Sequence, residues 1–132
     1  MEHKKILIVD DEEEICLFMK EKLDREYRVN IAHTGEKGME WITREPFDLY
    51  IFDLKLSGRV TGIDMIRHVK QLYPNATIVA MTGYTDLKLK EEALQAGVTE
   101  YALKPSQIQP DEIHARVRRL LEALEKNSQK TI

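Results

Sequence analysis

The chain holds a single cysteine, Cys16, in 132 residues. An internal disulfide is thereby excluded, and the thiol reads as ordinary packing or surface. Nothing approaches the ~20 consecutive apolar residues of a membrane-spanning helix. The charged start, Met1 to Lys5, runs straight into an apolar stretch without the pattern of a signal peptide. With the lone thiol, this leads to the expectation of a reducing, cytoplasmic setting. Excess positive charge is also missing: 20 Lys and Arg face 23 Asp and Glu, a formal net charge of −3. That removes a general electrostatic drive toward nucleic acid. Arg116, Arg118 and Arg119 form the one dense basic cluster and read as the solvated side of a helix. The four histidines lack zinc-like spacing, and no Gly-x-x-x-x-Gly-Lys-Ser/Thr or Gly-x-Gly-x-x-Gly loop follows the first apolar run. Nucleotide and dinucleotide binding are accordingly disfavoured. Repeats and low-complexity stretches are absent, so the length implies one domain that buries roughly two thirds of its unfolded surface.

What is present is a set of five apolar runs, several ending at reactive polar residues. Lys5 to Val9 is β-branched and apolar without alternation, as in a strand covered on both faces. The acids Asp10 to Glu14 follow, and then Ile15, Phe18, Met19 and Leu23 at helical spacing, with the acids suited to a helix N-terminus. Arg28 to Ala32 predicts a second strand, and Thr34 caps a helix through Trp41 and Ile42 that ends before Pro46. Asp48 to Phe52 predicts a third strand reaching Asp53, Leu54 to Thr61 a loop, and Thr61 the cap of a helix stopping before Pro74. Ala76 to Met81, Asp86 to Ala96 with Gly97 as its stop, and Thr99 to Leu103 continue the alternation. A last helix opens at Pro110 and carries Ile113, Val117, Leu120, Leu121 and Leu124 on one face. Five strands alternating with five helices predict an α/β fold: a five-stranded parallel sheet with helices on both faces, in three layers.

In such a sheet the strands' carboxyl ends share one edge, where open α/β folds bind ligands. Asp10, Asp11, Asp53, Thr82 and Lys104 would then meet in one crevice. Two adjacent carboxylates repel unless a cation lies near, and hard oxygen donors of this kind suit Mg²⁺; the plainer alternative is that they only favour the helix dipole. A carboxylate ending a buried strand, as Asp53 does, is costly to desolvate and calls for a partner or a function. One such function is nucleophilic attack on phosphorus, with Lys104 as the offsetting cation and the Thr82 hydroxyl as a donor to a phosphoryl oxygen.

The order Ile-Leu-Ile-Val-Asp-Asp-Glu, Asp53 after a buried strand, Met-Thr-Gly at 81 to 83 and Tyr-Ala-Leu-Lys-Pro at 101 to 105 resembles the receiver domain of bacterial two-component response regulators. The resemblance covers about residues 4 to 125 and implies a flavodoxin-like (βα)5 fold, with a receiver domain over 1–125 and a flexible tail over 126–132. It also implies that Asp53 accepts a phosphoryl group from a histidine kinase or phosphotransfer protein. Asp11, Asp53 and the backbone carbonyl of Lys55 would bind Mg²⁺, with Asp10 acting mostly through a metal-bound water. Thr82 and Lys104 would hold phosphoryl oxygens, and the Lys104–Pro105 bond would be cis. Tyr101 would turn inward when Thr82 moves, coupling the site to the face of the fourth helix, fifth strand and fifth helix. The plainer reading of Tyr101 is a half-buried edge-strand tyrosine.

Two regions stand apart. The family usually carries proline four residues and glycine eight residues after the acceptor; here those positions are Ser57 and Thr61, with Gly62 one later. The loop Lys55 to Thr61 is therefore expected to be longer and freer than usual. Ile15 to Met19 is apolar without a break, so Cys16 and Leu17 are candidates for exposure, and Leu17 for contact with a kinase or phosphotransfer protein. The leading functional reading is a signalling module that catalyses only its own phosphorylation and dephosphorylation. It acts through an unidentified output protein or domain, with no direct nucleic-acid or membrane binding, as a monomer or phosphorylation-dependent dimer. The chain ends soon after the last helix, so the expectation is either a stand-alone receiver or part of a longer regulator. Two alternatives stay open. One is an unphosphorylated receiver-like adaptor. The other is an aspartate-nucleophile phosphatase, which wants an acid two residues after a strand-one nucleophile and is poorly matched by Asp10-Asp11-Glu12.

Overall fold

A computed structural model describes residues 3–83, 86–104 and 115–123. The expected cis bond at Pro105, the helix start at Pro110 and the tail over 126–132 lie outside the described residues. Along the chain run β1 (Lys5–Val9), α1 (Glu13–Leu23), β2 (Arg28–Ala32), α2 (Gly35–Arg44), β3 (Leu49–Asp53), α3 (Gly62–Leu72), β4 (Ile78–Thr82), α4 (Leu87–Ala96) and β5 (Glu100–Leu103). Residues 115–123 are helical and are called α5. The strands form one parallel sheet in the order β2-β1-β3-β4-β5. No described helix is long and apolar enough to cross a membrane.

The unalternating strands sort their side chains by the period of two. Ile6, Ile8, Leu49, Ile51, Val79 and Met81 face Ile15, Met19 and Leu23 of α1 and Val117 and Leu121 of α5. Leu7, Val9, Tyr50, Phe52, Ile78 and Ala80 face Ile42 of α2, Ile66 and Val69 of α3 and Ala93 of α4. Each fully buried side chain of this size contributes about 1.5–3 kcal/mol. The two apolar layers therefore fix where the strands end.

The helix starts follow their caps. Thr34 Oγ1 accepts from the Lys37 N–H at 3.1 Å, and Asp86 Oδ1 accepts from the Leu89 N–H at 3.1 Å. Thr61 and Asp64 form a reciprocal capping box at the start of α3. Gly97 ends α4 in the left-handed region at φ 107°, where a side chain would be strained. α1 differs: Glu12 occupies its N-cap position without making a side-chain cap bond.

Strand boundaries shift by one or two residues from their sequence expectation: β3 runs Leu49–Asp53 and β5 starts at Glu100. β4 begins at Ile78 rather than Ala76 because the Ala76 N–H turns back to the Tyr73 carbonyl at 3.0 Å. It extends to Thr82, whose carbonyl accepts the Lys104 N–H at 2.8 Å. That backbone bond sets the threonine and the lysine side by side. Gly62 starts α3 against the end of β3, where an added Cβ would come within 2.5 Å of the Asp53 carbonyl oxygen. Only glycine allows so close an approach to the acceptor's backbone.

Candidate functional site

At the carboxyl edge of the sheet, on either side of the point where β1 and β3 lead to opposite faces, the predicted residues converge. Asp10 leaves β1 fully buried, and Asp53 ends β3 with 2% exposure. Lys104, directly after β5, is 5% exposed and reaches across β4 to both. Its Nζ lies 3.0 Å from Asp53 Oδ2 and 3.2 Å from each carboxylate oxygen of Asp10. Glu12 joins the same ammonium at 2.5 Å.

The remaining bonds are short and local. Asp10 Oδ1 accepts the Glu12 N–H at 2.9 Å, whereas its buried Oδ2 has no hydrogen-bond partner of good geometry among the described residues. Asp53 Oδ1 accepts the Lys55 N–H at 3.0 Å. Thr82 is buried at the end of β4, and its Oγ1 likewise has no hydrogen-bond partner among the described residues. Buried polar atoms without partners are uncommon and ask for a reason. Here two of them belong to residues at the carboxyl ends of β1 and β4.

Electrostatics explains why the site is poised. Burial pushes the Asp10 carboxyl up from 3.8 to about 6, with Asp53 adding to the rise and the Glu12 N–H and Lys104 opposing it. Burial likewise raises Asp53, against hydrogen bonds from Lys104 and the Lys55 N–H. Burial works against the charge on Lys104, but Glu12, Asp53 and Asp10 outweigh it and hold the ammonium above the usual lysine range. Burial works against the charge on Asp11, but two hydrogen bonds from Ser57, with the Lys104 charge, outweigh it and keep the carboxyl below the usual carboxylate range. Asp10, Asp11 and Asp53 each offer an oxygen, all within 4.8 Å of one another. Oxygen-only donors, one of them a buried carboxylate oxygen without a hydrogen bond of good geometry among the described residues, fit a hard divalent cation such as Mg²⁺.

Hydrogen bonds and an ion pair connect the loop after β3 to its surroundings. Ser57 donates to Asp11 Oδ2 from its N–H at 3.2 Å and from its hydroxyl at 2.9 Å. The Val60 N–H donates to Glu36 Oε1 at 3.3 Å, and Val60 sits where a side chain on Gly35 would clash. Lys55 pairs with Asp86 at 3.7 Å. Sequence reasoning missed Ser57 and Glu12 as members of the site. The one signal for Ser57 was its departure from proline, and for Glu12 the missing cap of α1.

Tyr101 lies on β5, half buried against the α4 side of the core. Its hydroxyl is buried without a hydrogen-bond partner among the described residues, and the Lys90 ammonium sits 5.5 Å from the ring centroid. Leu17 is 59% exposed on α1, as anticipated, but Cys16 is buried. Its Sγ donates to the Asp10 carbonyl at 3.3 Å, and burial first, then the nearby Asp10 charge, pushes the thiol up to about 12. The arginine cluster is the solvated face expected of it: Arg118 pairs with Glu26 and Arg119 with Glu100.

Comparison with known proteins agrees with this geometry. The sporulation initiation phosphotransferase F of Bacillus subtilis is 32% identical over 122 residues, spanning 92% of this chain and 96% of that protein. The response regulator ArlR of Staphylococcus epidermidis is 33% identical over 117 residues, 88% of this chain but 52% of that protein. The chain thus spans nearly all of the first relative and about half of the second. Among solved structures, a CheY-like response regulator receiver domain protein from Methanospirillum hungatei superposes with a TM-score of 0.86 at 33% identity, covering 95% of this chain and 98% of that one. A BeF3-activated DrrB receiver domain does so with a TM-score of 0.81 at 30% identity, covering 91% and 98%. The response regulator receiver domain, as a family, matches residues 6–118, and to that family this chain belongs.

Proposed function

We propose that the chain is the phosphoacceptor of a two-component or phosphorelay system, taking a phosphoryl group onto Asp53 from a histidine kinase or a histidine phosphotransfer protein. The observation that carries this reading is the Lys104 ammonium 3.0 Å from a buried Asp53, beside a Thr82 hydroxyl that has no hydrogen-bond partner among the described residues. An Asp53 oxygen attacks phosphorus, and a P–O bond forms as the P–N bond to the donor imidazole breaks. The nitrogen leaves with the electron pair and takes up a proton. Water later attacks the acyl phosphate and releases phosphate, so the chain stores a group and turns over no outside substrate.

Each residue's role follows from its place. Lys104 passes its contact with Asp53 to a phosphoryl oxygen, and the Thr82 hydroxyl donates to another. Asp10, Asp11, Asp53 and the Lys55 carbonyl would hold Mg²⁺. When bound, the ion offsets negative charge on the acceptor and the phosphoryl oxygens. Movement of Thr82 toward the phosphoryl group opens space at β4 into which Tyr101, with no hydroxyl bond to break among the described residues, turns inward. The surface of α4, β5 and α5 then shifts between two populations.

Intact mass after incubation with acetyl phosphate and Mg²⁺ tests the acceptor. The expected result is an acid-labile phosphoryl adduct on the parent chain and none on Asp53→Asn. No adduct on the parent would leave an unphosphorylated adaptor as the better reading. For the switch, beryllofluoride with Mg²⁺ should shift the amide resonances of Leu87 to Ala96 in the parent. Tyr101→Ala should keep the ligand yet reduce those shifts at least about twofold. Undiminished shifts would reject Tyr101 as the coupling residue.

A further inference from the structure

The serine standing where the family carries proline makes a direct bond between the loops that follow β1 and β3. Asp11 follows β1 and Lys55 follows β3, 44 residues on. Ser57 spans them, placing two donors on one oxygen of Asp11 at 3.2 and 2.9 Å. The rest of its loop is anchored independently. The Lys55 N–H is bonded to Asp53, the Val60 N–H to Glu36, and Thr61 closes the capping box of α3. Ser57 is therefore presented by a segment with little freedom, and Asp11, the least buried of the three clustered acids, gains its orientation from it. Proline at this position would have no N–H and no hydroxyl to offer.

We propose that Ser57 is a positioning residue for the metal ligands: by holding Asp11 Oδ2 it presets that carboxylate toward Asp10 and Asp53 and locks the loop carrying Lys55 before a divalent cation arrives. The inference rests on the Mg²⁺ reading of the acidic cluster. A carboxylate needs to give a cation only one oxygen, so bonds to Oδ2 leave Oδ1 available. Orienting a side chain and a loop in advance removes ordering cost from the binding step.

Amide NMR titration with MgCl2 at constant ionic strength measures this without any phosphoryl transfer. The set is the parent, Ser57→Ala, Ser57→Thr and Asp11→Asn. Ser57→Ala, which keeps the N–H and loses the hydroxyl, should bind Mg²⁺ roughly threefold to tenfold more weakly, as expected for one hydrogen bond to a charged acceptor at the surface. Ser57→Thr should restore affinity to within about twofold, and the melting temperatures of both in EDTA should match the parent within about 2 °C. Affinity of Ser57→Ala equal to or tighter than the parent overturns the proposal, because Ser57 would then be a spectator or a competitor of the ion. A weakening that Ser57→Thr fails to repair overturns it as well. If the parent binds and only the Ser57 comparison fails, the metal site stands without this role. If the parent and Asp11→Asn alike show no saturable binding, both readings fall.

Discussion

Lys104→Met is expected to destabilise the metal-free protein by about 3 kcal/mol at pH 7.5, the low end of what removing one partner of a buried ion pair costs. Methionine keeps the length and apolar stem of the lysine but leaves Asp10, Glu12 and Asp53 without the ammonium that lies 2.5 to 3.2 Å from each. Asp10 and Asp53 are both buried, where an uncompensated charge is costly. Urea denaturation in EDTA measures the loss. Two further readings separate the electrostatic cause from a packing defect. Lowering the pH should shrink the deficit, because protonation of Asp10 and Asp53 removes the charge that lacks a partner. Mg²⁺ should stabilise the variant more than the parent, since the ion would replace the missing charge. A deficit that is the same at pH 5 and 7.5 would assign the effect to packing, and no deficit at pH 7.5 would refute the account.

Asp10→Asn should do the opposite in EDTA: gain on the order of 1–2 kcal/mol at pH 7.5 and little at pH 4.5. The folded Asp10 carboxyl is raised from 3.8 to about 6, so the folded state binds more protons than the unfolded chain between those values. Stability from this residue is accordingly greatest below about pH 4 and declines as pH rises through about 6, the reverse of a carboxylate held low by a partner. Asp11 is held low, and its contribution runs the other way, being lost as pH falls. The difference curve between the parent and Asp10→Asn isolates the one residue from the other. With saturating Mg²⁺ the order should invert, because an ion that binds the folded parent stabilises it and the variant has lost a ligand. Equal stability of parent and variant at pH 7.5 in EDTA would sink the claim that Asp10 is held ionised at a cost. Catalytic sites commonly carry such a cost.

Much of this was open to inspection in the linear chain because the strands are covered on both faces. Unbroken apolar runs locate such strands, and Asp10, Asp53 and Lys104 are polar residues that stay buried just where the runs stop. The caps Thr34 and Thr61 were equally plain, since they act on backbone three residues away. Cys16 shows where pattern reasoning gives out. Five consecutive apolar residues cannot all fit one helical stripe, and nothing in their order says which is turned outward. The Asp10 carbonyl and the packing under β1 select Cys16 for the interior, and Leu17 is left exposed.

Sequence alone determined the alternation of strands and helices, the carboxyl-edge location of the site, and the residue types whose chemistry suits phosphoryl transfer. These follow from short-range periodicity and from the desolvation cost of a charge at the end of a buried strand. Tertiary structure decided which charges share one ammonium, that Glu12 serves Lys104 rather than its own helix, and that Ser57 bonds Asp11. Those contacts join residues 92 and 46 positions apart. No local preference encodes them, because they depend on where the packed sheet carries each loop.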